Sequence, residues 1–468
     1  MTSVTMDEAP GKAMDRDAML RELSDFLSIP SISALPAHAG DCRRAAEWLR
    51  QELTRLGCAV VDVIEGHGLP VVWAESPKVP GKPTLLIYGH YDVQPPDPLD
   101  EWVTPPFQPT VRDGKLFGRG TADDKGQVYC LLKAYESVLG PDRQPPLNVR
   151  FVFEGEEESG GHAIYDVLRQ DPWRTEVDAV LVCDSAYYAP GTPAVYTGLR
   201  GICYAEIAVR TLQRDLHSGG YGGVAPNAIE TLVRILSQLK DESGEIQLPK
   251  LYKAVEPPSK RELKVWKKLP FDKKQYLADE VTAKALTGLK EYSVFERVWA
   301  LPTFEIHGIR GGFVGDGAKT VIPAQATAKV SLRLVPGQEF EKVARQLERA
   351  VAALAPKWAD VSVTVLHGSD PVRIDIDDPV FELLDEAFEA VTGAKAVPVR
   401  SGGSIPIIPQ LSAGGAPVLL TGIGLPDDGL HSPNEKLDLD QLWSGIEIFG
   451  RFFTLLGERG SVRSASSE

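Results

Sequence analysis

Apolar positions in the first two hundred residues follow two rhythms. Over 15–27, Leu20, Leu23, Phe26 and Leu27 fall at helical spacing until Pro30 stops the run. Over 42–56, Ala45, Leu49, Leu53 and Leu56 repeat the pattern, and Gly57 stands where a helix C-cap belongs. Short continuous apolar runs follow at 84–88 (TLLIY), 149–153 (VRFVF) and 179–183 (AVLVC), with a helical stretch over 128–139 between the first two. Apolar strands alternating with helices predict an α/β domain whose sheet is mostly parallel and flanked by helices.

From about residue 201 the texture changes. Strand-like alternation over 203–209 precedes a helix over 227–239, and then a charged, lysine-rich stretch, 240–290, shows no repeat. Strand signals at 303–307 and 327–334, an amphipathic helix over 339–354 and a last strand at 361–366 complete a segment that predicts a small α+β domain. The α/β texture then returns, with a helix over 380–391, a strand at 418–421 and a helix over 439–456. The expected organisation is therefore a discontinuous first domain, 1–200 and 379–468, interrupted by an inserted domain, 201–378. The polar tail, 460–468, is expected to fray.

The length of 468 residues suits two or three domains, and 43% hydrophobic with 25% charged residues is ordinary for a globular chain. No run approaches the roughly 20 consecutive apolar residues of a membrane span. Residues 1–19 are polar, without the apolar core of a secretion signal. A formal charge of −15 disfavours nucleic acid as a partner, because such binding draws on neutralising phosphates. The cysteines, Cys42, Cys58, Cys130, Cys183 and Cys203, are odd in number, scattered and free of any C-x-x-C pair, which points to the cytoplasm.

The chemistry sits just after the apolar runs, where open α/β sheets bind ligands. TLLIY leads into Gly89-His90-Tyr91-Asp92, VRFVF into Glu154-Gly155-Glu156-Glu157-Glu158, AVLVC into Asp184, and the strand at 418–421 leads towards Asp427-Asp428-Gly429-Leu430-His431. Asp123-Asp124 lies just before the helical stretch of Val128. Carboxylates brought that close repel one another and hold protons unless a cation intervenes. Mixed His and Asp/Glu donors suit zinc or manganese. Taken singly, an Asp after a strand is usually a turn or cap residue and a run of Glu is usually solvated surface. Their recurrence after successive strands is what favours a metal site.

These residues fall in nine ordered motifs: HYDVQP (90–95), GRGTADDKG (118–126), EGEEESGG (154–161), CDS (183–185), DLHSGGYGG (215–223), GAKTVIP (317–323), SLRLVP (331–336), RSGGSIP (400–406) and DDGLHSPNEKL (427–437). Together they resemble the co-catalytic metallopeptidase family of carnosinase-like dipeptidases, carboxypeptidases, aminoacylases and desuccinylases, with the cytosolic non-specific dipeptidase branch the nearest match. The resemblance implies that the first domain is catalytic and that the inserted one is a ferredoxin-like lid and dimerisation domain. It implies two divalent ions, zinc or manganese, sharing Asp123. His90 and Asp184 would complete one, Glu158 and His431 the other. Asp92 would orient His90, Glu157 would be the general base, and the Asp123–Asp124 peptide would be cis.

The resemblance further implies that His217 reaches the tetrahedral oxyanion from a partner subunit, making the protein a homodimer. Arg333 would pair with the substrate's terminal carboxylate, with Thr320 and Ser404 adding hydrogen bonds. In the families the chain resembles, Asp at position 184 goes with dipeptide or aminoacyl substrates, and the long 240–290 insertion is similar to that of the dipeptidase branch, so the resemblance implies a small peptide substrate and dipeptidase activity. Cys183-Asp184-Ser185 departs from the Ser-Asp-Asn common among relatives. The alternatives are an N-acyl amino acid deacylase, desuccinylase or carboxypeptidase on the same metals, and a non-catalytic peptide-binding protein. By residue type alone, Arg333 reads as a surface or salt-bridge residue, His217 as a loop histidine and Lys125 as a first-turn helix residue. His38, His67, His162, His307 and His367 read as structural. No H-E-x-x-H, G-x-S-x-G or G-K-[ST] pattern supports a helix-based zinc protease, a serine hydrolase of the elbow type or a phosphate loop.

Overall fold

The computed structural model describes residues 15–403 and 405–460, which form two compact units. The first comprises the described residues of Met1–Tyr196, Ile374–Val397 and Ile407–Glu468; the second comprises Thr197–Arg373 and the described residues of Pro398–Pro406.

The first unit is built on a six-stranded sheet in the order Val60–Ile64, Val71–Glu75, Asn148–Glu154, Thr84–His90, Ala179–Cys183, Val418–Thr421. The last four strands are parallel, and the first two add on antiparallel. Ala179–Cys183 and Val418–Thr421 are buried along their whole length, as strands covered on both faces must be, which is why they read as unbroken apolar runs. Val60–Ile64 is an edge strand that stays half exposed, so its apolar signal was too weak to single it out.

Two helices that pack on one another, Lys125–Ser137 and Leu439–Arg459, belong to this unit. The first begins three residues before the apolar periodicity does. Lys125 is buried there, its Nζ donating to the carbonyls of Phe26 (3.1 Å) and Ile29 (2.6 Å) at the end of helix Arg16–Leu27. Burial pushes that ammonium down to about 7. Gly126 leaves no room for a Cβ, which would collide with the Thr121 carbonyl.

The second unit carries a four-stranded antiparallel sheet in the order Thr303–Gly311, Gln325–Leu334, Gly201–Arg210, Asp360–Ser369. Helices Ala228–Leu239 and Phe340–Leu354 pack against it around Leu232, Ile235, Val330, Leu332 and Leu347. The chain order strand–helix–strand–strand–helix–strand is the ferredoxin-like arrangement. Gly201–Arg210 alternates between buried and half-buried positions up to its exposed last residue, Arg210, the period-two signature of a sheet with one covered face.

The lysine-rich stretch contains a helix, Lys260–Trp266, opened by a Ser259/Glu262 capping box. Glu262 also makes a buried bidentate pair with Arg400 (2.8 and 3.0 Å), and the Trp266 indole donates to the Pro398 carbonyl. Among the described residues, no helix is long and apolar enough to cross a membrane.

Candidate metal centre

Parallel strands that share a register end together. His90 is the last residue of its strand and pairs with Glu154, while Cys183, just before Asp184, pairs with Thr421. One sheet edge thus presents His90, the 154–160 turn and Asp184. Gly89 is required beside His90, since a Cβ there would lie 2.9 Å from Asp124 Oδ2.

The side chains fall into two groups whose donor atoms lie within 4.8 Å of one another: His90, Asp124 and Asp184; and Asp123, Glu158 and His431. Asp123 stands between the two imidazoles. Its Oδ1 is 3.1 Å from His90 Nε2 and its Oδ2 is 2.9 Å from His431 Nε2. Asp184 Oδ1 is 4.0 Å from His90 Nε2, and Glu158 Oε1 is 3.2 Å from His431 Nε2. The Asp123–Asp124 peptide is cis, and His431 adopts a left-handed backbone at φ 60. The one residue of these two groups that lies outside the expected ligand set is Asp124, next to Asp123 in the chain. Its Oδ2 accepts from His90 N at 3.1 Å.

Asp92 organises the surroundings. His90 Nδ1 lies 3.1 Å from the Asp92 carbonyl and 3.3 Å from Oδ1. The same carboxylate accepts from the backbone amides of Glu157 (3.3 Å) and Glu158 (3.1 Å) and from Ser33 Oγ (2.6 Å). It therefore fixes both an imidazole and the turn Glu157–Ser159, which Gly160 closes at φ 69. The contact to the two amides carries no local sequence signal, because it joins residues more than sixty positions apart.

Crowding sets the protonation. Burial, reinforced by the Asp124 carboxylate, raises the Asp184 carboxyl well above the carboxylate range. Burial likewise raises Asp124, against the pull of His90. Burial opposes ionisation of Asp123, but hydrogen bonds from His431 and His90 hold it low. His431 is raised to about 10 by the hydrogen bond of its Nε2 to Asp123 and by the Glu158 carboxylate beside it. Glu157 is pushed up to about 7 by burial, which His90 offsets and Glu158 reinforces.

The second unit holds the other expected residues. His217 pairs with Val321 in a two-residue ladder, and Ser218 N donates to the Thr320 carbonyl at 3.1 Å, so His217 and Thr320 stand side by side, both exposed. His217 Nδ1 accepts from Gly219 N at 3.0 Å, which puts the ring hydrogen on Nε2. Arg333 is half-buried in Gln325–Leu334, between Thr303 and Ile202 of the adjoining strands, and burial lowers its pKa. Ser404 lies outside the described residues. Of the histidines read as structural, His38 does meet an acid, Asp41 at 2.7 Å, three residues on and also paired with Arg44.

The profile of peptidase family M20/M25/M40 matches residues 86–454. The chain is 32% identical over 458 residues to the Beta-Ala-His dipeptidase of Homo sapiens, spanning 94% of this chain and 90% of that protein. It is 35% identical over 456 residues to the Cys-Gly metallodipeptidase of Schizosaccharomyces pombe, spanning 93% and 94%. The structure of the M20 family metallo-carboxypeptidase Sso-CP2 from Sulfolobus solfataricus superposes with a TM-score of 0.83 at 28% identity, spanning 95% of this chain and all (100%) of that one. With the profile running through the strand of His90, both aspartates, the glutamate turn and His431, the chain belongs to peptidase family M20/M25/M40.

Proposed function

We propose that this protein hydrolyses the peptide bond of dipeptides with two divalent metal ions, zinc or manganese, and a glutamate base. The observation that carries the reading is the Asp123 carboxylate set between His90 and His431 at 3.1 and 2.9 Å. The donor set fits cations. Asp124 Oδ1 and Glu158 Oε1 are buried without a hydrogen-bond partner, and burial and mutual repulsion raise the carboxyls of Asp124 and Asp184 well above the carboxylate range.

His90 and Asp184 are assigned to one ion, Glu158 and His431 to the other, and Asp123 to both. Asp124 is not made the shared ligand because His90 N engages its Oδ2. Bound here, the ions supply Lewis acidity towards the scissile carbonyl and lower the pKa of the attacking water. Glu157 takes the proton of that water as the new C–O bond forms and returns it to the leaving amine. Asp92 holds the His90 tautomer and the Glu157 turn together.

His217, offered by the second subunit of a homodimer, donates its Nε2–H to the oxyanion. Arg333 receives the substrate's terminal carboxylate through a planar fork, and Thr320 and Ser404 add hydrogen bonds. The dipeptide substrate is supported by the two dipeptidases at 32% and 35% identity, and a cytoplasmic location by the five free cysteines. The likeness to a metallo-carboxypeptidase supports a second reading, in which longer peptides or N-acyl amino acids are cleaved at the same ions. Chelator-stripped protein assayed on dipeptides, longer peptides and N-acyl amino acids, with zinc or manganese restored, separates the two. Dipeptide turnover that returns with metal supports the first reading, and turnover confined to the other substrates supports the second.

A further inference from the structure

Glu435 lies four residues beyond His431 and is fully buried, with 0% exposure. Its Oε2 accepts from Arg119 Nη1 (2.7 Å) and Gly120 N (3.0 Å), and its Oε1 accepts from Ala122 N (2.9 Å) and Asp123 N (3.1 Å). Three of the four donors are backbone amides of the segment that ends in Asp123. The contact is continuous with a backbone seam: Gly118 N donates to the Glu435 carbonyl (3.0 Å), and Lys436–Asp438 pairs with Lys115–Phe117. On the other side, Lys436 Nζ binds Asp428 Oδ1 (2.7 Å) and Lys436 N the Asp428 carbonyl (3.0 Å), closing the loop that carries His431.

From this geometry we infer that Glu435 is a positioning residue for the metal centre, locking the Asp123 segment to the His431 loop so that both ligands are presented as one unit. The inference rests on the reading of Asp123 and His431 as ligands. A carboxylate is needed for the task. All four of its contacts come from donors, whereas a glutamine would turn an NH2 towards two of them. Arg119 supplies the countercharge without which a buried carboxylate would be costly.

The test is Glu435→Gln, with zinc affinity measured by chelator competition alongside kcat, KM and the Tm of the metal-free protein. Zinc affinity is expected to fall on the order of 10–100-fold, with KM little changed at saturating metal. Glu262→Gln is the control: it breaks an equally buried acid–arginine pair in the other unit and should lower Tm while leaving zinc affinity as it was. Should Glu435→Gln fail to fold, Arg119→Lys leaves the three amide contacts in place and is expected to weaken zinc binding less. Unchanged zinc affinity in a folded Glu435→Gln or, failing that, in Arg119→Lys overturns the inference, as does an equal loss in Glu262→Gln. If the parent protein itself binds no zinc or manganese, the metal reading fails, and that outcome is recognised before any variant is compared.

Discussion

The two units place their polar chemistry differently. In the first, strands buried on both faces run parallel and stop at a common edge, so His90, Asp184 and the glutamate turn converge simply because each follows a strand. In the second, an antiparallel sheet covered by helices on one face carries Arg333 within a strand, and a short two-stranded ladder carries His217, with Thr320 just before its second strand. A parallel sheet concentrates ligands through its topology. An antiparallel one distributes them, and their use depends on what they are brought against. On the proposed reading, the first unit holds the ions and the base, and the second grasps the substrate.

That division can be broken by substitution, and the largest effect is expected at its centre. Asp123→Ala should abolish turnover and retention of both ions together, read by elemental analysis and rate. Loss of only one ion would mean that Asp123 is not shared. Glu157→Gln should keep both ions while kcat falls on the order of 10²–10⁴-fold, and a variant that loses metal would make Glu157 a ligand. In the second unit, His217→Ala should lower kcat on the order of 10²–10³-fold with Tm unchanged, since the side chain is exposed. If kcat stands and KM alone rises, His217 binds substrate and the oxyanion role is wrong. Arg333→Met should act mainly on KM, raising it roughly 10–100-fold, as loss of a charged hydrogen-bonded pair does. A dominant kcat effect would move Arg333 into the chemistry.

The smallest effect concerns pH. Glu157 and Glu154 are raised to about 7 and 8, chiefly by burial. Carboxyls raised on folding keep their full stabilising effect below the unfolded value and lose it as pH rises through the folded one. Metal-free protein should therefore lose Tm between about pH 5 and 8, and by more than metal-loaded protein, because cations favour the ionised carboxylates. Parallel pH profiles with and without metal would contradict this.

What could be read from the sequence follows the same division. AVLVC (Ala179–Cys183) and the strand Val418–Thr421 were legible to the residue, because full burial demands unbroken apolar runs. The edge strand Val60–Ile64 was not, for want of that constraint. Helix Lys260–Trp266 had a readable Ser-x-x-Glu start at Ser259, masked by the lysines around it. The five expected ligands were visible as residues following strands or flanking a helix. The amide contacts of Asp92 and Glu435 were not, since hydrogen bonds to backbone 66 and 312 residues away leave no periodic trace. Arg333, His217 and Thr320 were named through resemblance alone, and nothing in their spacing distinguishes them from ordinary surface residues.

The most direct measurement is a titration of chelator-stripped protein with zinc or manganese, following dipeptide hydrolysis and bound metal together, for the parent chain and for Asp123→Ala. The account predicts activity that rises to a plateau as two ions bind per chain, and neither binding nor activity in the variant. Full dipeptide turnover with a single ion, or two ions held tightly by Asp123→Ala, would contradict it.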